Sequence, residues 1–460
     1  MPALPPQPLS PLDGRYAGVT APLAEHLSEA ALNRARLRVE VEWLLALVAT
    51  GQFGVEPPSD TAATALRATV RDFGQPQIDR LATLEAATRH DVKAVELLLR
   101  ERLAELDLAR LTELAHFAMT SEDVNNLAVA LTVRDALHGV WLPAFDAVRA
   151  RIGTLALQWA EVPLLARTHG QPATPTTMGK ELAVFAHRLH RVRDRITGVR
   201  IQGKSNGASG TYAAHVVAAP QVDWPAFSER FVTGLGLAWN PLTTQIESHD
   251  WQVELYGAIS HANGVLHNLC TDAWTYISQG VWRQVPVEGA TGSSTMPHKV
   301  NPIRFENAEA NLELSTGILG TLERTLVTSR LQRDLTDSTT QRNIGVGFGH
   351  SLVALDNLLR GLFEIDPDRE VLAADLAANW EVLAEAIQTV LRAEIVAGRS
   401  TVTDPYDALK QLTRGRRVTP ESLAAFIDGL DLGDSARARL RGLTPSSYTG
   451  LAADLARHSD

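Results

Sequence analysis

Apolar residues along the chain recur mostly at helical spacing. Leu182, Phe185, Leu189, Val192, Ile196 and Val199 alternate three and four residues apart. That is the narrow stripe of a helix seated against others along one face. The same stripe predicts a helix over about 249–282 (Ile259, Leu266, Leu269, Ala273, Tyr276) and another over about 305–331 (Leu312, Leu319, Leu322, Leu326). A fourth, roughly 346–364, is apolar through Leu352, Leu355, Leu358, Leu359 and Leu362. Helices of about 30 residues span roughly 45 Å. An all-α, elongated long-helix bundle is therefore expected. Such rods expose apolar flanks unless they associate, so oligomerisation is expected too. Shorter helices are predicted at 22–50 and 80–106, from Thr120 to 137, and over 141–160 with Pro143 in its first turn. Residues 366–460 read as short helices between Pro, Gly and Asp turns.

The polar positions collect where the helical pattern stops. SPLDGRY (Ser10–Tyr16) places Arg15 and Tyr16 after an Asp-Gly turn, where a docked N-terminal arm is the plainer reading. In TRHDVKAVE (Thr88–Glu96), Thr88 and Asp91 have capping-box spacing. His90 then falls in a first helical turn, where backbone N–H groups and the macrodipole favour anions. TSEDVNN repeats the device with Thr120 and Asp123, and adds Ser121, Asn125 and Asn126. Capping does not account for those three. In EVPLLARTHGQPATPTT (Glu161–Thr177), three prolines and a glycine break the helix, and His169 stands beside Gly170. This is a poor place for a core histidine and a good one for a histidine presented to a cleft. GKSNGASGTYAAH (Gly203–His215) lacks the strand context of a dinucleotide fingerprint, so close backbone packing is expected. SRLQRDLTDSTTQRNIG carries Arg330, Arg333 and Arg342 with Ser338, Thr339 and Thr340, a donor set that matches phosphate or carboxylate. The densest stretch is Gly289–Asn311, GATGSSTMPHKVNPIRFENAEAN. Its glycines and prolines forbid a continuous helix, and it holds two serines, a histidine, a lysine and asparagines.

Composition narrows the field. With 45% apolar and 21% charged residues among 460, the chain is an ordinary globular one. A formal charge of −10 without a basic cluster argues against nucleic acid as the main partner. Cys270 is the only cysteine, so neither an intrachain disulfide nor a Cys-based metal site is available. H-E-x-x-H is absent. No run of 18 apolar residues predicts a membrane span. The start, MPALPPQPLSP, does not read as a signal peptide, which makes the cytoplasm the default expectation.

GSSTMPHKVNP (Gly292–Pro302) resembles the signature of the aspartase/fumarase superfamily, enzymes that eliminate fumarate from succinyl-bearing substrates. With SPLDGRY, TRHDVKAVE, TSEDVNN and ARTHGQPATP, the set resembles the purine-nucleotide branch, which acts on adenylosuccinate and its imidazole-carboxamide ribotide analogue. His298 fits that branch better than fumarases, which carry glycine there, or argininosuccinate lyases, which carry glutamine. Two positions depart from the pattern: Arg304, where an acidic residue precedes FEN, and Ala213, where asparagine stands.

The resemblance implies three largely helical domains, 1–110, 111–364 and 365–460. It implies a homotetramer whose active sites are shared between subunits, a nucleotide substrate, and no metal or organic cofactor. It makes Ser293 the base, with Ser294 the less favoured candidate, His169 the acid, and Lys299 and Asn301 stabilisers of the carbanionic intermediate, with His90 assisting. Arg15, Tyr16, Arg333, Ser338 and Arg342 fall to phosphate and nucleotide contacts, and Thr120, Ser121 and Gln245 to the succinyl and base portions. Arg89, Asp91, Asn307 and Thr339 complete the candidate substrate contacts.

Overall fold

The computed structural model describes residues 8–285, 296, 299–413 and 418–458. The chain is mostly helical. In order the helices are α1 (Ala17–Leu27), α2 (Glu29–Ala49), α3 (Asp60–Arg71), α4 (Gln75–Thr88), α5 (Asp91–Glu105), α6 (Ser121–Ala136), α7 (Leu142–Gln158), α8 (Met178–Gly198), α9 (Ala213–Ala218) and α10 (Trp224–Gly234). There follow α11 (Asp250–Ser278), α12 (Ile303–Leu326), α13 (Thr336–Gln341), α14 (Ile344–Phe363), α15 (Arg369–Ala377), α16 (Ala384–Val396), α17 (Pro405–Thr413), α18 (Pro420–Gly429), α19 (Asp434–Arg441) and α20 (Ala452–Arg457). Short β-pairings punctuate them: Pro163–Leu164 with Thr176–Thr177, Arg167–Thr168 with Gln171–Pro172, and Trp282–Gln284 with Ile365–Pro367 run antiparallel, while Gln202–Gly203 and Ala238–Trp239 run parallel.

The four long helices lie where their stripes predict. Leu182, Leu189, Ile259, Leu266, Leu312, Leu319, Leu355 and Leu358 are all buried. Two expected helices are each a pair. The 22–50 helix breaks at Ser28, whose extended backbone (ψ 165°) and hydroxyl cap α2 by accepting from the Ala31 N–H at 3.2 Å. The 80–106 helix breaks at Arg89, which turns left-handed with φ 55°. Thr88 therefore ends α4 instead of capping the next helix, its hydroxyl donating to the Leu84 carbonyl at 2.9 Å. The cap of α5 is His90, and the Thr88–Asp91 capping box does not form. Helix α3 lies in an interval the apolar pattern leaves unassigned.

The described residues divide into two compact units. The first takes the chain to Phe145, then Val192–Gly264 and Ala310–Asp356; the second takes Asp146–Arg191, Val265–Glu309 and Asn357 onward. In the first unit, Leu37, Val41, Leu44 and Val48 on α2 and Val95, Leu99 and Leu103 on α5 share one apolar cluster. In the second, Leu383, Ile387 and Leu391 gather Leu423, Ile427 and Leu440 into another.

The Gly203–His215 loop is a close-packing device, as expected. A Cβ on Gly203 would sit 2.5 Å from Leu127 Cδ2, and one on Gly210 (φ 73°) 2.2 Å from the Thr243 carbonyl oxygen. Polar chains also run through the core of the first unit. The Trp141 indole N–H donates to Ser351 Oγ (2.9 Å), which donates to Asn263 Oδ1 (3.0 Å). Asn263 Nδ2 donates to Ser315 Oγ (3.0 Å), which donates to the Gly347 carbonyl (2.8 Å). Replacing Ser351 with Ala strands both the indole N–H and the amide oxygen. A loss of about 1–3 kcal/mol is expected, read as a lowered urea midpoint with the slope unchanged.

Candidate active site

The start of α6 is built around Asp123, which is fully buried. One carboxylate oxygen accepts the Thr120 backbone N–H at 2.9 Å, the capping contact its spacing predicts. The rest of its bonds are long-range. Lys204 Nζ, also fully buried, lies 2.9 Å from Oδ1, and the N–H groups of Asn206 and Gly207 donate at 3.0 and 3.1 Å. Asn126 adds two contacts to the same loop: it accepts the Lys204 N–H at 2.9 Å and donates to the Lys204 carbonyl at 3.1 Å. The α6 N-terminus, bearing Thr120 and Ser121, is thereby fixed to the glycine-rich loop.

A second hub is Arg36 on α2, 2% exposed. Its guanidinium donates to Asn125 Oδ1 (2.9 Å), Asn33 Oδ1 (2.8 Å) and Asp91 Oδ2 (2.9 Å). It thus joins the TRHD and TSEDVNN motifs. Burial pushes the Asp91 carboxyl upward, but Arg36, the Val92 N–H and Arg342 together hold it below the usual range. Beside it, His90 accepts the Lys93 N–H on Nδ1 at 3.2 Å. A neutral His90 ring therefore carries its proton on Nε2.

Arg342 reaches Glu29 at 2.6 Å and Asp91 at 3.5 Å. Arg333 pairs with Glu122 at 2.9 Å and donates to Gln245 Oε1 at 3.3 Å. Gln245 Nε2 donates in turn to the Ala208 carbonyl at 2.8 Å. Ser338 and Arg342 line a cavity of about 80 Å³ with Arg36, Glu122 and Asn125. Arg330 stands apart from this set, paired with Asp334 at 3.3 Å. The 329–345 stretch is not all loop, since α13 occupies part of it, and Thr339 is exposed on that helix. Arg15 is exposed and Tyr16 half-buried just before α1, in a turn docked through buried Leu12.

The second unit holds His169, Lys299, Asn301 and Asn307. His169 and Gly170 are the two central residues of the hairpin formed by Arg167–Thr168 and Gln171–Pro172, with φ 53° and 75°. Two-residue hairpins favour turns with both φ positive, and histidine tolerates the left-handed region better than most residues. The turn leaves His169 exposed, as expected of a histidine presented outward. Lys299 is exposed, its N–H donating to the Met296 carbonyl at 3.0 Å. Asn301 and Asn307 are half-buried. Ser293 and Ser294 lie outside the described residues. Arg304, one of the two departures, faces Glu364 at 3.3 Å and Asn357 at 3.5 Å; Ala213, the other, is exposed at the start of α9.

Arg36, Glu122 and Lys204 escape a reading from sequence, because a charge in a helix or glycine-rich loop reads as solvated. The signal in Arg36 is its register, one residue before buried Leu37 on α2. Among the described residues, no helix is long and apolar enough to cross a membrane, and no three His, Cys, Asp or Glu are grouped to hold a metal.

A lyase family model matches residues 14–315, and a model for the adenylosuccinate lyase C-terminal region matches 329–449. The adenylosuccinate lyase of Escherichia coli (strain K12) is 47% identical over 96% of both chains. Those of Haemophilus influenzae and Vibrio cholerae are 45% and 46% identical over 97% of both. Among solved structures, the Pseudomonas putida 3-carboxy-cis,cis-muconate lactonizing enzyme is 21% identical with a TM-score of 0.73, covering 95% of this chain and 96% of that one. A fumarate lyase from Mesorhizobium sp. BNC1 is 19% identical with a TM-score of 0.74, covering 95% and 97%. These two share the fold.

Just ahead of α6, buried Glu40 accepts both the His116 backbone N–H (3.0 Å) and a 2.6 Å contact from its Nδ1. Burial lowers the His116 pKa, but the Glu40 hydrogen bond and charge, with Glu96 and Asp123, outweigh it and raise the net value. A raised folded value means protonation favours the folded state. This stability is full below the unfolded value of about 6.5 and is lost as pH rises through the folded one. Melting temperature is expected to fall over that interval, and His116→Gln to flatten the fall. A variant with the parent's pH dependence contradicts this.

Proposed function

The chain belongs to the adenylosuccinate lyase family, and from that premise we propose that it eliminates fumarate from adenylosuccinate, giving AMP, and from the imidazole-carboxamide ribotide analogue. The full-length likeness to adenylosuccinate lyases carries this reading. Ser293 takes the proton from the carbon beside a carboxylate. The C–N bond breaks, and His169 gives a proton to the departing nitrogen. Histidine suits that task because its ordinary pKa lies near working pH, and an exposed turn supports the assignment. Serine is too weak an acid to act unaided, so Ser293 needs a proton acceptor or fixed positive charge nearby. The intermediate gathers negative charge on the carboxylate, which Lys299 and Asn301 offset.

His90 holds the leaving side. Arg15, Tyr16, Arg333, Ser338 and Arg342 contact phosphate and nucleotide, and Thr120, Ser121 and Gln245 the succinyl and base portions. Arg89, Asp91, Ser294, Asn307 and Thr339 complete the contacts. The enzyme works in the cytoplasm as a homotetramer, with three helical domains breaking near 110 and 364.

Loss of adenylosuccinate absorbance with purified protein tests the activity, with argininosuccinate, aspartate and malate as comparators. Turnover of adenylosuccinate alone is expected, and turnover of a comparator instead assigns another fumarate-releasing reaction. Ser293→Ala is expected to cut kcat by about 10²–10⁴ while substrate still binds. A loss below about tenfold moves the base to Ser294 or elsewhere.

Sharing of sites is tested by mixing inactive Ser293→Ala and His169→Ala proteins, unfolding and refolding them together with tagged subunits. Hybrids are expected to regain part of the parent activity. Tag-confirmed hybrids without activity place both residues on one subunit.

A further inference from the structure

The His169 hairpin has two residues per strand, too few to hold itself. Its supports lie almost wholly in the chain after residue 374. Arg167, two residues before His169, donates through Nη2 to both oxygens of Asp375 on α15, at 2.8 and 2.7 Å. Asp375 is itself fixed, because Asn379 Nδ2 donates to its carbonyl at 2.7 Å. On the far arm, Thr174 donates to Glu385 on α16, which also accepts from the Tyr448 hydroxyl at 3.3 Å. At the head of the segment, Glu161 accepts from Arg457 on α20. Between these polar struts, Leu165 is buried with Leu376 and Val382 in a separate apolar cluster. The pairing of Pro163–Leu164 with Thr176–Thr177 closes the base of the segment.

We infer that Asp375, Leu376, Val382, Glu385, Tyr448 and Arg457 form the positioning frame of His169, and that Asp375 is its principal positioning residue. The frame touches no reacting atom. It acts through Arg167, Thr174 and Leu165, which fix where the left-handed turn stands. Exposed ion pairs are individually weak, but these grip both arms and the head of one 17-residue segment (Glu161–Thr177) and leave its turn one orientation. Reaction rate is sensitive to placement at the scale of 1 Å. This inference rests on the reading of His169 as the acid.

Two measurements test it on the full-length protein. In the first, Asp375→Ala and Asp375→Asn are assayed beside the parent. A kcat loss of about tenfold to a hundredfold is expected, with KM within about twofold because no substrate contact is removed. The charge-swapped double variant, Arg167→Asp with Asp375→Arg, is expected to recover most of the lost kcat. In the second, hydrogen exchange of peptides covering 161–177 is expected to quicken in Asp375→Ala while the α2 and α6 peptides keep the parent rate. Parent-like kcat, parent-like exchange in 161–177, or a swap no better than the single variants overturns the inference. A parent without lyase activity removes the premise about His169, and the exchange measurement alone then decides whether this frame holds the segment.

Discussion

A buried carboxylate is tolerated only when its oxygens are fully met, and Asp123 meets that condition in a way that fixes its surroundings. Its partners are an ammonium and three backbone N–H groups, from Thr120, Lys204, Asn206 and Gly207. Thr120 caps α6, and the other three belong to the Gly203–His215 loop. Neither segment can shift without leaving a charge unpaired in the interior, which costs about 3–5 kcal/mol when one partner of such a pair is lost. The same loop reaches the candidate substrate residues through Gln245, which donates to Ala208 and accepts from Arg333. The order of dependence runs from Asp123 to the loop, from the loop to Gln245, and from there to Arg333.

Helix α2 extends this logic. It carries Arg36 and Glu40 four residues apart on a buried face, among Leu37, Val41 and Leu44. Arg36 makes one bond within its own helix, to Asn33, and both charges reach beyond α2. Arg36 fixes Asp91 and Asn125, in the first turns of α5 and α6. Glu40 fixes the His116 turn that leads into α6. Well-packed hydrophobic residues of similar size would stabilise as much. What the charges supply is direction: each holds a helix start where small polar side chains face outward.

The long helices were legible because a heptad stripe is a local pattern repeated many times. The break in the helical pattern around His169 was legible because Gly170 and the flanking prolines restrict the backbone locally, although the hairpin itself was not. The breaks at Ser28 and Arg89 were not. SEAALNR contains good helix formers, and the boundary is marked by Ser28, whose backbone turns extended and whose hydroxyl takes up an N–H. Arg89 adopts a left-handed conformation without the glycine that would announce it. At Asp123 the sequence showed one bond of several. The contact to Thr120 spans three residues, whereas those to Lys204, Asn206 and Gly207 span more than eighty. Periodicity and capping rules see the first kind and are blind to the second.

The left-handed residues connect these threads. Among the described residues, eight have φ between 53° and 64° without being glycine, and four of these, Arg89, Ala118, His169 and Leu331, border candidate functional side chains. Each lies within two residues of a candidate functional side chain: His90, Thr120, His169 itself and Arg333. A side chain in that region costs about 1–2 kcal/mol, so the conformation persists only where neighbours over-determine it. They do so here. Arg89 is tied by its N–H to the Glu85 carbonyl at 2.7 Å and stands two residues before Asp91, which Arg36 holds. Ala118 sits between the turn that Glu40 grips and the helix start that Asp123 grips. His169 lies between arms held by Asp375 and Glu385. Leu331 precedes Arg333, which Glu122 and Gln245 bind. A left-handed residue reverses the chain within one step. That lets a helix stop and the next polar group face outward without a long loop. The polar contacts around these turns are therefore where the strain is offset.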